Sequence, residues 1–213
     1  EETQSLKEYK HFKDIINSGT PIVMFDRVAD GINCDKVVVD DFDSAYDATT
    51  HLIKLGSKKI ALLSTVNNLS VGKLRFEGYK KALTDANMPI DEELIILETA
   101  IEDFDVKLQQ LISSKKMDAI FALDEHSSTM TMRMALKQGI KIPEELNIIG
   151  FADGVWSRRL TPSLSTVSQH APEIGAKAAE LLIHKLNSKD EFYQPQTVVI
   201  KTELRQREST RRL

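Results

Sequence analysis

I-P-E-E-L-N-I-I-G-F-A-D-G-V-W-S-R-R-L-T-P-S-L-S-T-V-S-Q, residues 142–169, is the stretch on which the fold is decided. Pro143 followed by two glutamates reads as a short helical turn entered through a proline. Asn147–Phe151 is a short apolar run without alternation, as expected of a strand covered on both faces. Asp153-Gly154 is a polar turn where that strand ends. Leu160–Val167, with Thr161-Pro162, is too irregular for a helix. In open α/β sheets, ligands sit beyond the carboxyl ends of the strands, which makes Asp153 a candidate site residue.

Working outward, the same alternation fills the chain. Helices are expected over 7–18, 44–55, 71–86, 103–114, 127–138 and 172–186. Gly19, Gly56 and Gly139 each stand where a helix should stop. Strands are expected over 21–25, 37–39, 60–63, 94–97, 119–123, 147–151 and 197–202, and 206–213 reads as a polar tail. Runs such as I-A-L-L (60–63) and A-I-F-A-L (119–123) are apolar throughout. This predicts an α/β protein with a doubly wound parallel sheet and helices on both faces.

Composition narrows the function. With 213 residues, 41% hydrophobic and 28% charged, the chain is an ordinary globular protein of one large or two small domains. No apolar run approaches the ~18 residues of a membrane span, and nothing at the start resembles a signal peptide. A net charge of -4 does not suggest a nucleic-acid surface. The single cysteine, Cys34, cannot form an internal disulfide, so a reducing cytoplasm is expected. Asp35 and Asp41 nearby would raise rather than lower its thiol pKa, against a catalytic role. The five histidines are scattered without zinc-ligand spacing, so neither metal nor cofactor is expected. There is no G-x-S-x-G, no phosphate-binding G-x-x-x-x-G-K-[ST] and no G-x-G-x-x-G, so the chain is not read as an enzyme.

Polar residues instead collect at the strand ends. These are Asp26 and Arg27 after the first strand, the loop to Ser70 with Arg75 one turn into the next helix, then Asp124 and Asp153. Carboxylates accept from hydroxyls and an arginine offers a planar donor fork, so a small polar ligand fits this edge. Asp124 also suits a helix cap. Phe104 or Trp156 could stack on an apolar ligand face, although Trp156 also reads as a core or interface residue.

Eight segments carry a resemblance: T-P-I-V-M-F-D-R (20–27), V-V-V-D-D (37–41), A-T-T-H-L-I-K-L-G-S-K-K-I-A (48–61), R-F-E-G-Y-K-K-A-L (75–83), D-A-I-F-A-L-D-E (118–125), G-I-K-I-P-E-E-L-N-I-I-G-F (139–151), L-T-P-S-L-S-T-V-S-Q (160–169) and T-E-L-R-Q-R-E-S-T (202–210). In this order they resemble the effector-binding core of LacI-family transcriptional regulators, which has the fold of periplasmic sugar-binding proteins. The resemblance implies two Rossmann-like subdomains joined by three crossovers, near Ser64, Ser168 and Lys201. The N-terminal subdomain would comprise 1–63 with 169–200 and the C-terminal one 64–168 with 201–213. The chain opens without Met on a polar stretch that feeds a helix. The family's helix-turn-helix and the first part of its N-terminal subdomain are therefore expected to be absent.

The resemblance also implies a homodimer that binds a sugar or sugar derivative and reaches operator DNA only through that headpiece. A transport receptor of the same fold is the alternative. Asp26, Arg27, Arg75 and Gln169 match family site positions, with Arg75 as the main clamp, while Asp124 stands where many members have asparagine and Glu125 where they have aspartate. At Ala152, where many members have a ligand-binding aspartate, the chain departs from the pattern, and Asp153 follows it. Ser57 replaces the usual histidine of L-G-H, a change expected to be structural.

Overall fold

A computed structural model describes residues 9–29, 31–152, 154–188 and 193–211. Its strands form two sheets. β1 (Val23–Phe25), β2 (Asp35–Val39) and β8 (Thr197–Ile200) make a parallel three-stranded sheet in the order β1-β2-β8. The second sheet has six strands. They are β3 (Ile60–Ser64), β4 (Ile95–Leu97), β5 (Ala119–Ala122), β6 (Asn147–Phe151), β7 (Ser165–Ser168) and β9 (Glu203–Arg205), in the order β4-β3-β5-β6-β7-β9. Only β9 runs antiparallel to its neighbour in this sheet.

The apolar strand runs explain the layering. Successive side chains on a strand point to opposite faces. Thus Ile60 and Leu62 of β3 join one buried cluster, and Ala61 and Leu63 join another. Helices α2 (Asp41–Lys54) and α3 (Ser70–Asp85) cover the first face through Ala45, Ala48, Leu52, Tyr79 and Leu83. On the other face lie α4 (Ile101–Ser114) and α5 (Glu125–Lys137), which contribute Phe104, Leu108, Ile112 and Met132. Leu62, Leu63 and Phe121 are closed to solvent, and burying each contributes about 2 kcal/mol. Helix α7 (Ala171–Asn187) packs on β1 and β2, while α1 (Lys10–Asn17) supplies Phe12 and Ile16 to the cluster around Met24 and Cys34.

The change of sheet expected near Ser64 falls elsewhere. β3 ends at Ser64 but is bonded between β4 and β5, in the middle of the six-stranded sheet. α2 already belongs to that sheet, because it lies against α3. A Cβ at Gly78 would stand 2.3 Å from the Phe42 carbonyl oxygen and 2.9 Å from the Tyr46 nitrogen, so the two helix backbones meet there. The chain therefore leaves the three-stranded sheet between Val39 and Asp41. It returns between β7 and α7, and passes over again between Ile200 and Glu203.

Two further features depart from the sequence reading. The irregular tail 160–167 contains most of β7, and a short helix α6 (Trp156–Arg159) precedes it. The polar tail is anchored: Ser209 and Thr210 are 0% and 2% exposed. The Ser209 hydroxyl donates to Ile148 O at 2.6 Å and accepts from Ser165 N at 2.8 Å. Ser165 and Thr210 share a hydroxyl–hydroxyl bond at 2.8 Å. These side chains are polar because they complete the edge of a sheet, not because they face water.

Candidate functional site

The carboxyl ends of β1, β3, β5 and β6 open on one cavity of about 400 Å³. Its walls include Asp26, Arg27, Val66, Val71, Arg75, Asp124, Glu125, Phe151, Ala152, Gly154, Gln169 and Ala171. Asp26 and Arg27 come from the end of the three-stranded sheet, and Gln169 and Ala171 from the return passage. The others come from the six-stranded sheet and its helices, so the cavity joins both sheets.

Arg75 is its centre. It lies in the second turn of α3 and is 3% exposed. Its Nε donates to Asp41 Oδ1 at 2.7 Å, Nη1 to the Leu123 carbonyl at 2.7 Å and Nη2 to Gln169 Oε1 at 3.3 Å. The guanidinium carbon stands 3.5 Å above the centre of the Phe151 ring, a cation–π contact. Burial presses the Asp41 carboxyl upward and the Arg75 guanidinium downward from their ordinary pKa values, and the contact between the two opposes both shifts. A guanidinium resists deprotonation, so the pair stays ionic. A guanidinium has five N–H donors; three are engaged here, which leaves two for a ligand.

Asp124 both lines the cavity and caps a helix. Its Oδ1 accepts from Ser127 N at 2.9 Å, closing a capping box at the start of α5. Its Oδ2 accepts from Thr65 N at 2.8 Å, tying the end of β3 to α5. Each oxygen keeps a further lone pair for a ligand hydroxyl. Asp26 adopts φ 58°, a left-handed conformation that aspartate tolerates better than most residues. The Arg27 Nε stands 4.0 Å from Asp26 Oδ2, and both side chains are substantially exposed.

Of the residues expected at the site, Asp26, Arg27, Arg75, Asp124 and Gln169 thus come together. Ser70 does not line the cavity; its hydroxyl donates to Val28 O at 3.3 Å, tying the start of α3 to the loop after β1. Phe104 is 0% exposed and packs edge-on against His126, so it is core and has no face for a ligand. Trp156 is 63% exposed on α6 and outside the cavity wall, so it is not a core residue. Asp153 lies outside the described residues, while its neighbours Ala152 and Gly154 line the cavity.

Sequence reasoning passed over Asp41 and Phe151. Asp41 had a visible signal, the Asp40-Asp41 pair closing a strand. Phe151 had none, because its place in an apolar run marks only burial. Among the described residues no group of three or more histidines, cysteines and carboxylates could hold a metal, and no helix is long and apolar enough to cross a membrane.

Residues 49–210 match the periplasmic binding protein-like domain family. The chain is 32% identical over 166 residues to the HTH-type transcriptional regulator DegA of Bacillus subtilis, covering 78% of this chain and 49% of that protein. It is 32% identical over 182 residues to the HTH-type transcriptional repressor PurR of Haemophilus influenzae, covering 83% and 53%. The chain thus spans about half the length of the curated relatives it matches. A LacI family transcriptional regulator from Enterococcus faecium, crystallised with ribose, superposes with a TM-score of 0.86 at 24% identity, over 97% of this chain and 76% of that one.

Proposed function

This chain belongs to the periplasmic binding protein-like domain family, in the form found in LacI-type regulators, and from that premise we propose that it binds a small polyhydroxylated effector in the cavity around Arg75. One observation carries the reading. A buried, fully charged arginine with two N–H donors to spare faces a cavity whose other walls bear hydrogen-bonding side chains from both sheets. None of the described residues lining the cavity pairs a nucleophile with a base, which favours recognition over turnover. The fold neighbour that holds ribose makes sugars the first class to test.

In this reading Arg75, Gln169 and Asp124 hold hydroxyls from one side, and Asp26 and Arg27 from the other. We take 9–40 with 171–200 as one unit and 41–168 with 203–211 as the second. An effector touching both units favours one relative orientation, and by linkage it changes whatever that orientation controls. The whole protein is read as a cytoplasmic, homodimeric regulator. It would act on operator DNA through the helix-turn-helix portion for which its relatives are named. A thermal-shift screen of the chain against neutral, amino and acidic sugars tests the reading. A rise in melting temperature with at least one sugar is expected, and no response to any would contradict it.

A further inference from the structure

The charges around the cavity do not balance. With Asp41, the carboxylates are Asp26, Asp41, Asp124 and Glu125, and the guanidiniums are Arg27 and Arg75. Among the described residues, four anions face two cations, so two negative charges are unmatched. Each guanidinium has a carboxylate beside it, Asp41 bonded to Arg75 and Asp26 near Arg27, so the positive charge is offset although N–H donors remain for ligand hydroxyls. The charge left over toward a ligand is that of carboxylates. The oxygens of Asp124 are stabilised as anionic acceptors by two backbone N–H groups. No hydrogen bond or ion pair among the described residues engages the carboxylate of Glu125. That carboxylate lies directly over Gly154, where a Cβ would stand 2.0 Å from Glu125 Oε1. Gly154 therefore leaves room for an acidic group on the cavity wall.

A second observation restricts the ligand independently. Phe151 is the sole aromatic residue among the described residues of the wall, and the guanidinium of Arg75 covers one face of its ring at 3.5 Å. A planar heteroaromatic ligand would have to displace a buried, ion-paired arginine to stack there.

Resting on the effector reading above, we infer that the cavity selects a hydroxylated ligand carrying a positive charge, an amino sugar by chemical class, and rejects phosphorylated or carboxylated sugars. A like-signed cleft concentrates ligands of the opposite sign and penalises anions through unpaired charge. An ammonium group reaching Glu125 or Asp124 would gain a charge-assisted hydrogen bond that a hydroxyl cannot match.

The test is isothermal titration of the chain with matched sets: glucose, galactose and mannose, their 2-amino forms, the N-acetylated amino forms, and the 6-phosphates. For the skeleton that binds, the amino form is expected to bind roughly tenfold tighter than the neutral and N-acetyl forms, with the phosphate showing no binding. That advantage should shrink as salt is raised. Glu125→Gln should remove most of the preference for the amino form, with the fold of the variant checked by circular dichroism. A neutral or phosphorylated sugar binding as tightly as its amino counterpart would overturn the inference and leave the effector reading standing. No binding by any member would overturn both.

Discussion

Arg75 Nε and Asp41 Oδ1 lie 2.7 Å apart, with side chains only 4% and 3% exposed, and this contact fixes α3 to the start of α2 at the cavity edge. An ion pair so deeply buried gains little over an apolar pair of the same shape. Removing one partner, however, strands a charge in a low-dielectric site.

Asp41→Asn should therefore cost about 3–5 kcal/mol of folding stability, read from urea denaturation. Combining it with Arg75→Met removes both charges, and the double variant should be more stable than the sum of the single effects indicates. Additive losses would mean that the two residues are not coupled as the geometry implies.

Helices α2 and α3 meet at Gly78, where backbone atoms rather than a flexible side chain would obstruct a Cβ. Gly78→Ala should destabilise the chain by about 1–3 kcal/mol, despite alanine's higher helix propensity. The check is the denaturation midpoint, and a more stable variant would contradict the close approach.

The buried tail gives a third outcome. Ser209→Ala removes a hydroxyl that serves both Ile148 O and Ser165 N. Leaving those buried groups unsatisfied should cost about 1–3 kcal/mol. A residue of a solvated tail would cost nothing measurable.

Acid stability depends on Asp40. Burial alone would raise its carboxyl, but the Thr202 N–H and the Lys201 ammonium outweigh that and hold it below its ordinary 3.8. The Thr202 N–H stands 2.9 Å from Oδ1 and the Lys201 ammonium 3.1 Å from Oδ2. A carboxyl lowered in the folded state binds fewer protons than in the unfolded chain. Its stabilisation is therefore complete above the unfolded value and is lost as pH falls through the folded one. Unfolding followed by circular dichroism should show this loss below about pH 4. Asp40→Asn should be less stable by about 1 kcal/mol at neutral pH and have a flatter acid profile.

The alternation of elements was legible because strands buried on both faces leave unbroken apolar runs such as 60–63 and 119–123. Charged residues at strand ends likewise pointed to Asp26, Arg27 and Asp124, and the helix after one strand to Arg75, all of which line one cavity. What escaped depends on pairing between distant segments. α2 followed by β3 looks the same in sequence whichever sheet receives it, and Gly78 gives no local sign that another helix lies against it. Phe104, an aromatic at the start of a helix, satisfies a core and a ligand platform equally well until burial separates them. β7 was hidden because its residues Ser165–Ser168 are mostly small and polar, with partners on β6 and in the tail.

The most direct test of the central claim is isothermal titration of the sugar found by thermal shift into the wild-type chain and into the neutral double variant Asp41→Asn/Arg75→Met. The variant keeps the site free of an unpaired buried charge, so it separates recognition from folding. Affinity at least about tenfold weaker in the variant, with the fold retained by circular dichroism, is the expected result. Equal affinity in the two proteins would contradict a binding site centred on Arg75.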